Sequence, residues 1–347
     1  MAAVKPFRAL RYNAERFGPL GVLVAPPYDV ITPGERQAFL SRSPYNVVHL
    51  TLPDDEEDAG RTLAEWRAEG VLVRDEEPAL WWLVQDYVGP DGVTRRREGL
   101  VCALRAEPYS SGVVLPHERT HAGPKEGRLR LLRATRTHVE PIFLLYDGSL
   151  AGPAGEPELD VELDGVRSRL WRLDEDLSPA LRDAQLLIAD GHHRYETALA
   201  FHEEEGSEAS AWLLAVVVPT EQEGLTIFPT HRIALRTRPL PRLEPAPANG
   251  RAMAEVYTRS GSGFLLGEEG ELDAELVGRY AEEVRYTPSE DEARAAVDSG
   301  EAEAAFLLRP PTVAQVEEVA RAGRTMPQKS TFFFPKLTSG LLFLPID

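Results

Sequence analysis

The sequence predicts a mixed α+β protein with two lobes. Three observations carry that expectation. Short apolar runs of strand length alternate along the chain with segments of helical period. Glycine- and proline-rich stretches separate them. At 347 residues the chain exceeds what one ordinary core holds. Neither a repeat nor a heptad array is evident, so the mixture argues against a bundle or a sandwich. The expected organisation is an N-terminal α+β lobe at 1–147, a lobe at 148–240, and a C-terminal α/β segment at 241–347 that closes a site.

Residues 1–50 read as short strands between proline-punctuated loops. Residues 56–70 read as a helix, with Leu63 and Trp66 on one face and Gly70 as the stop. Residues 78–88 and 94–104 read as strands joined by the turn Gly89-Pro90-Asp91-Gly92. A helix is expected at 126–137 and a buried strand at 141–146. Residues 148–160 have loop composition, followed by a strand at 166–173 and a short helix at 179–183. Apolar runs at 186–189, 211–218 and 225–228 read as strands, and 239–250 reads as a proline-rich linker. Helical and strand-like segments then alternate at 251–260, 263–266, 290–299, 304–308 and 313–322, before an apolar, aromatic tail at 331–346.

A formal net charge of -18 argues against a broad nucleic-acid surface. No apolar run is long enough to cross a bilayer, and residues 1–12 lack a signal-peptide core, so a cytoplasmic location is expected. The single cysteine, Cys102, excludes an internal disulfide and a multi-cysteine zinc site, and its apolar neighbours place it in a core.

The richest segment is Asp190-Gly191-His192-His193-Arg194-Tyr195-Glu196. An apolar strand ends there and a helix begins at once. That turn aims backbone N–H groups and the positive end of a helix dipole at one point, where His192, His193 and Arg194 add donors. The chemistry fits a phosphate or carboxylate; the blander reading is a helix start with Asp190 as cap.

Four further groups stand out. His117-Glu118-Arg119-Thr120-His121 has zincin spacing, but Pro116 before it and Gly123-Pro124 after it leave no long helix to align the histidines. His117 and Glu118 remain candidates for acid–base chemistry or an Mg²⁺ site on a loop. Lys125, Arg128 and Arg136 share a helical face within a basic cluster, either solvated or meeting an anion. Thr230-His231-Arg232 follows a short strand, and a lone histidine there is as readily structural. Lys329-Ser330-Thr331 precedes Phe332-Phe333-Phe334-Pro335-Lys336 and offers donors to a phosphate or nucleotide. Neither a Walker A loop nor G-x-G-x-x-G is present.

Taken in order, these motifs resemble the family called domain of unknown function 1015 over nearly the whole length. The resemblance rests on Pro26-Pro27-Tyr28-Asp29-Val30-Ile31, His117-Glu118-x-Thr120, Lys125-x-x-Arg128, residues 188–198, Pro229-Thr230-His231-Arg232 and residues 329–337. Residues 191–198 are also similar to the phosphate-binding loop of the ParB/sulfiredoxin superfamily, which includes free-serine kinases. In sulfiredoxins a cysteine occupies the position of His192, so thiol chemistry is excluded here. The serine kinases' loop reads Asp-Gly-His-His-Arg, as at 190–194.

The resemblance implies a ParB/sulfiredoxin-like phosphate-binding element in a small-molecule phosphotransfer enzyme, either a serine kinase or a phosphoserine-handling phosphotransferase or phosphatase. Gly191, Arg194, His117, Thr120, Lys125, Arg128, His231, Arg232, Lys329, Ser330 and Thr331 would bind the phosphorylated substrate. His192, His193, Glu118 and Asp190 would carry the chemistry, with Glu118 or Asp190 holding Mg²⁺ beside ATP or ADP. Two alternatives are a metal-dependent hydrolase, using His117, Glu118 and His121 with Asp190 or His192, and a non-catalytic binding module. ParB-like DNA partitioning is disfavoured by the charge and by the missing helix-turn-helix signal.

Overall fold

The computed structural model describes residues 1–118, 122–248 and 250–347, with residues 122–124 as backbone only. The chain forms two compact units. Unit 1 holds Met1–Pro116, Thr120–Leu225 and Pro335–Asp347, and unit 2 holds His117–Arg119 and Thr226–Phe334. This division does not follow the expected segments 1–147, 148–240 and 241–347. Strands on either side of residue 147 pair in one sheet, and the tail from 335 returns to the unit that holds them.

The strands of the unit 1 sheet are β1 (Val4–Lys5), β2 (Leu80–Val88), β3 (Thr94–Arg105), β4 (Val114–Leu115), β5 (Ile142–Tyr146), β6 (Leu159–Leu163), β7 (Val166–Leu173), β8 (Leu186–Asp190) and β9 (Trp212–Pro219). Their order is β4-β8-β5-β9-β3-β2-β7-β6, with β1 on β3. β4 runs parallel to β8 and β9 parallel to β5; the other pairs are antiparallel. Central strands are buried on both faces, which explains their continuous apolar runs. One face packs Leu80, Trp82, Leu100, Cys102, Ile142, Leu144, Ile188 and Ala215 together with Tyr195 and Ala198. Cys102 is fully buried, and burial pushes its thiol up to about 12, so it is a core residue as expected.

Four helices matter in unit 1: α1 (Pro33–Arg42), α2 (Glu56–Glu69), α3 (Ala122–Thr135) and α4 (His192–Glu205). α1 corrects the expectation of strands and loops before residue 50. Thr32 and Glu35 form a reciprocal capping box, with proline at the first helical turn. The expected helix at 179–183 is instead a 3-10 turn at Ser178–Leu181. The loop at 148–160 gives way to β6. α2 ends as read, on Gly70 in the left-handed conformation.

Unit 2 contains β10 (Thr226–Phe228), β11 (His231–Thr237), β12 (Met253–Thr258), β13 (Gly261–Leu266), β14 (Ala281–Thr287), β15 (Ala304–Leu308) and β16 (Phe332–Phe334). Its helices are α5 (Asp273–Gly278), α6 (Glu290–Ser299) and α7 (Val313–Arg321). Five strands form an antiparallel sheet in the order β13-β12-β15-β11-β14, and β10 pairs with β16. The segment expected to be a linker belongs to this unit: Glu244 and Phe264 exchange both backbone hydrogen bonds, so residues near 244 lie along the sheet. Among the described residues no helix is long and apolar enough to cross a membrane.

Candidate functional site

In unit 1, β8 delivers Asp190 to the start of α4 through a single residue, Gly191. Its φ of 93° is a left-handed conformation that glycine adopts without strain. A Cβ there would lie 3.0 Å from Ile142 Cγ2 and 3.1 Å from Arg194 Cζ. No side chain caps α4. Its first turn therefore presents the helix dipole at the end of the strand. His192 is buried in that turn, and His193 is half-buried beside it.

Asp190 is not the helix cap. Its Oδ2 accepts from Arg194 Nη2 at 2.6 Å and its Oδ1 accepts from Lys336 Nζ. Arg194 Nη1 also donates to the Pro141 carbonyl. Burial raises the Asp190 carboxyl, but Lys336 and Arg194 outweigh it and hold it well below the usual carboxylate range. Burial likewise opposes the charge on Lys336, and Asp190 overrides it, so the ammonium is held above its ordinary value.

A second carboxylate lies behind the turn. Glu140 Oε1 accepts from Tyr28 N and Ser339 Oγ, each at 2.9 Å. Its Oε2 is 3.9 Å from Arg128 Nη1. Burial raises its carboxyl against the pull of Arg194 and Arg128. Arg128 donates to the Thr51 carbonyl at 2.7 Å and lies 4.1 Å over the Tyr28 ring. The Pro-Pro-Tyr-Asp motif near the start thus buttresses the site through Tyr28.

Arg97 adds a further buried cation. Its Nη2 donates to Gln85 Oε1 and to the Pro335 carbonyl, its guanidinium lies 4.5 Å over Phe143, and its Nη1 has no hydrogen-bond partner among the described residues. Burial lowers it to about 10, and Asp190 is among the charges that support it. Among the described residues, four cations (Arg97, Arg128, Arg194 and Lys336) thus gather around three carboxylates, the buried Asp190 and Glu140 and the exposed Asp29, which acts on Arg194 and Lys336. Such an excess is costly without an anion.

The sequence reading passes over Arg97 and Lys336. Lys336 stands in the same aromatic motif as Lys329. Arg97 is one of three consecutive arginines on β3, and only pairing with Gln85 on β2 shows which of them is enclosed. Lys125, expected as an anion ligand, pairs with Glu196 at 3.0 Å. The rest of the basic face is similarly committed: Arg130 to Glu56, Arg133 to Glu204 and Arg136 to Glu205. It joins α3 to α2 and α4.

Unit 2 gathers three motifs distant in sequence. Buried His117 shares a 2.9 Å hydrogen bond between its Nε2 and Thr331 Oγ1, and its ring meets Phe333 edge-on. Glu118 forms a bridge with Met326, so His117 and Glu118 occupy an extended segment, not a zincin helix. Thr120 and His121 lie outside the described residues. Arg232 is buried, donates to the Thr230 and Gln328 carbonyls, and has Glu118 among the charges favouring its ionised form, while burial lowers it. His231 accepts from Leu308 N through Nδ1 at 3.1 Å, an in-sheet contact. Ser330 Oγ donates to the Pro327 carbonyl at 2.5 Å. Lys329 adopts φ 55°, a conformation few non-glycine residues hold without cause. Among the described residues no group of three or more His, Cys, Asp or Glu is arranged to hold a metal ion.

The family model described as "Protein of unknown function (DUF1015)" matches residues 4–250. No curated protein matches the chain. Among solved structures, a free serine kinase in complex with AMP is 16% identical, with a TM-score of 0.40, over 66% of this chain and 89% of that one. A conserved hypothetical protein from Pyrococcus furiosus is 16% identical, with a TM-score of 0.38, over 66% and 92%. SbnI from Staphylococcus aureus, truncated at its C-terminus, is 12% identical, with a TM-score of 0.43, over 71% and 87%.

Proposed function

The chain belongs to the DUF1015 family of proteins of unknown function, and we propose that it is a small-molecule phosphotransfer enzyme, a serine kinase or phosphoserine-handling phosphotransferase, whose phosphate cradle is the turn from β8 through Gly191 into α4. The observation that carries the reading is the excess of buried positive charge around that turn. A phosphoryl group bears charge that needs this compensation, both bound and in a loose transition state.

In this reading Arg194 and Lys336 supply positive potential while Asp190 orients both. Asp190 is a poor general base, because its two cations stabilise the ionised form. His192 and His193, in the first turn of α4, are the acid–base candidates on this unit. Within unit 2, considered by itself, Lys329, Ser330 and Thr331 are the candidate donors to a nucleotide. Lys336 and Arg194 already occupy the Asp190 carboxylate, so it is not available to hold Mg²⁺.

The test is to incubate purified protein with Mg²⁺ and either serine plus ATP, phosphoserine plus ADP, or phosphoserine alone. Phosphoserine, serine and phosphate are followed. Turnover in any format that is lost in Arg194→Gln supports the reading. Inactivity in all three, with no binding of AMP, ADP or inorganic phosphate by calorimetry, overturns it.

A further inference from the structure

Unit 2 contains a cavity of about 530 Å³, bounded by the loop at 250–251, the start of α5, the end of β15 and one side of α7. That volume lies within the range of small-molecule pockets, about 300–1,000 Å³. Every residue that lines it falls within Thr226–Phe334, so this unit forms it alone. Leu272, Pro310 and Pro311 give it an apolar wall that solvent reaches.

Three arginines and three carboxylates also line it, and they are not equally engaged. Asp273 accepts from Arg309 Nε at 2.8 Å, from Arg309 Nη2 at 2.7 Å and from Met253 N at 2.8 Å. Glu271 accepts from Glu268 N at 2.9 Å and pairs with Arg279 at 3.0 Å. Ser330, which also lines the cavity, donates its hydroxyl to the Pro327 carbonyl. Three charges are left over. Arg251 uses only its Nε, on the Gly267 carbonyl at 2.6 Å, and neither Arg324 nor Glu318 has a side-chain partner among the described residues. All three side chains belong to exposed residues.

These uncommitted charges narrow the ligand. A wholly apolar molecule would cover two guanidiniums and a carboxylate without pairing them. The phosphates of a nucleotide would lie beside Glu271, Asp273 and Glu318, and a plain amine would face three arginines. An α-amino acid with an apolar side chain meets each feature. Its carboxylate suits the planar arginine fork, its ammonium suits Glu318, and its side chain covers the apolar wall.

We propose that unit 2 carries a binding site for an apolar α-amino acid in this cavity, with Arg251 and Arg324 on the ligand carboxylate and Glu318 on its ammonium. No residue of the unit 1 anion cradle lines it, and the site does not depend on what that cradle binds.

The test uses the full chain and ligand-observed NMR with L-leucine, L-methionine and L-phenylalanine at millimolar concentration. At least one binds. Its analogues that lack the ammonium or the carboxylate bind about tenfold more weakly, the loss of one charged hydrogen bond. Arg324→Gln and Glu318→Gln alter exposed side chains, so they leave the Tm in place and weaken binding by a similar factor. Failure of all three amino acids to bind overturns the proposal, as does undiminished affinity in both variants. Should a variant fail to fold, the analogues decide alone: equal affinity with and without the ammonium overturns it.

Discussion

Lys336 donates a hydrogen bond to the carboxylate of Asp190, 146 residues earlier in the chain, and both side chains are 16% exposed. The tail residue completes a charge cluster begun at the β8–α4 turn, because Gln85 and Arg97 hold the carbonyls of Lys336 and Pro335 in place. Removing Lys336 takes one of two charged hydrogen bonds from the enclosed Asp190 carboxylate. Arg194 still pairs with Asp190 when Lys336 is removed, so Lys336→Met is expected to lower unfolding stability by about 2 kcal/mol in urea denaturation, the loss of one charged hydrogen bond. A loss under about 1 kcal/mol would show that water reaches Asp190 freely.

Asp190 also sets a stability change in acid. Its folded carboxyl ionises well below the unfolded one, so its contribution is present above about pH 4 and is lost as pH falls toward the folded value. Below pH 4 the stability of the unaltered protein should drop more steeply than that of Asp190→Asn. Parallel acid-unfolding curves would contradict the arrangement.

His138 acts in a higher window. Its folded value near 4 lies below the ordinary 6.5, so the unfolded chain takes up a proton first. Stability is fully present above pH 6.5 and declines as pH falls to 4, by up to about 3 kcal/mol. His138→Gln should flatten the curve between these limits while leaving the Asp190 step below pH 4. An unchanged slope between 6.5 and 4 would assign that decline to other groups.

Gly191→Ala combines positive φ with contacts at 3.0 Å to Ile142 and 3.1 Å to Arg194. The expected cost is about 2 kcal/mol. Displacement of Arg194 should also weaken phosphate binding at least tenfold, as measured by calorimetry. Intact affinity in a folded Ala variant would separate the turn from the anion site.

Lys329 offers a contrast between stability and function. Glycine relieves its left-handed backbone, so Lys329→Gly should hold or raise the Tm. If the ammonium contacts ligand phosphate, the same variant loses affinity for ADP by tenfold or more. Unchanged affinity would leave Lys329 a purely structural residue.

Local patterns made the strand, glycine and helix of residues 186–205 legible, because alternation of period and one positive-φ glycine are properties of neighbouring residues. The hairpin at 80–105 and the core position of Cys102 were legible on the same grounds. The capping box of α1 was also present in the sequence, as Thr32 and Glu35, but proline punctuation obscured it.

What the sequence determined by itself is the set of chemically able residues and the local turn from strand through glycine into helix. Tertiary structure alone decided which charges are enclosed together. Sheet pairing placed Arg97 beside Gln85, and the returning tail set Lys336 on Asp190. The acidic faces of α2 and α4 took up the basic residues of α3. The physical reason is range: turns and caps are fixed over four or five residues, whereas desolvation and charge pairing depend on what packs nearby, however distant in sequence.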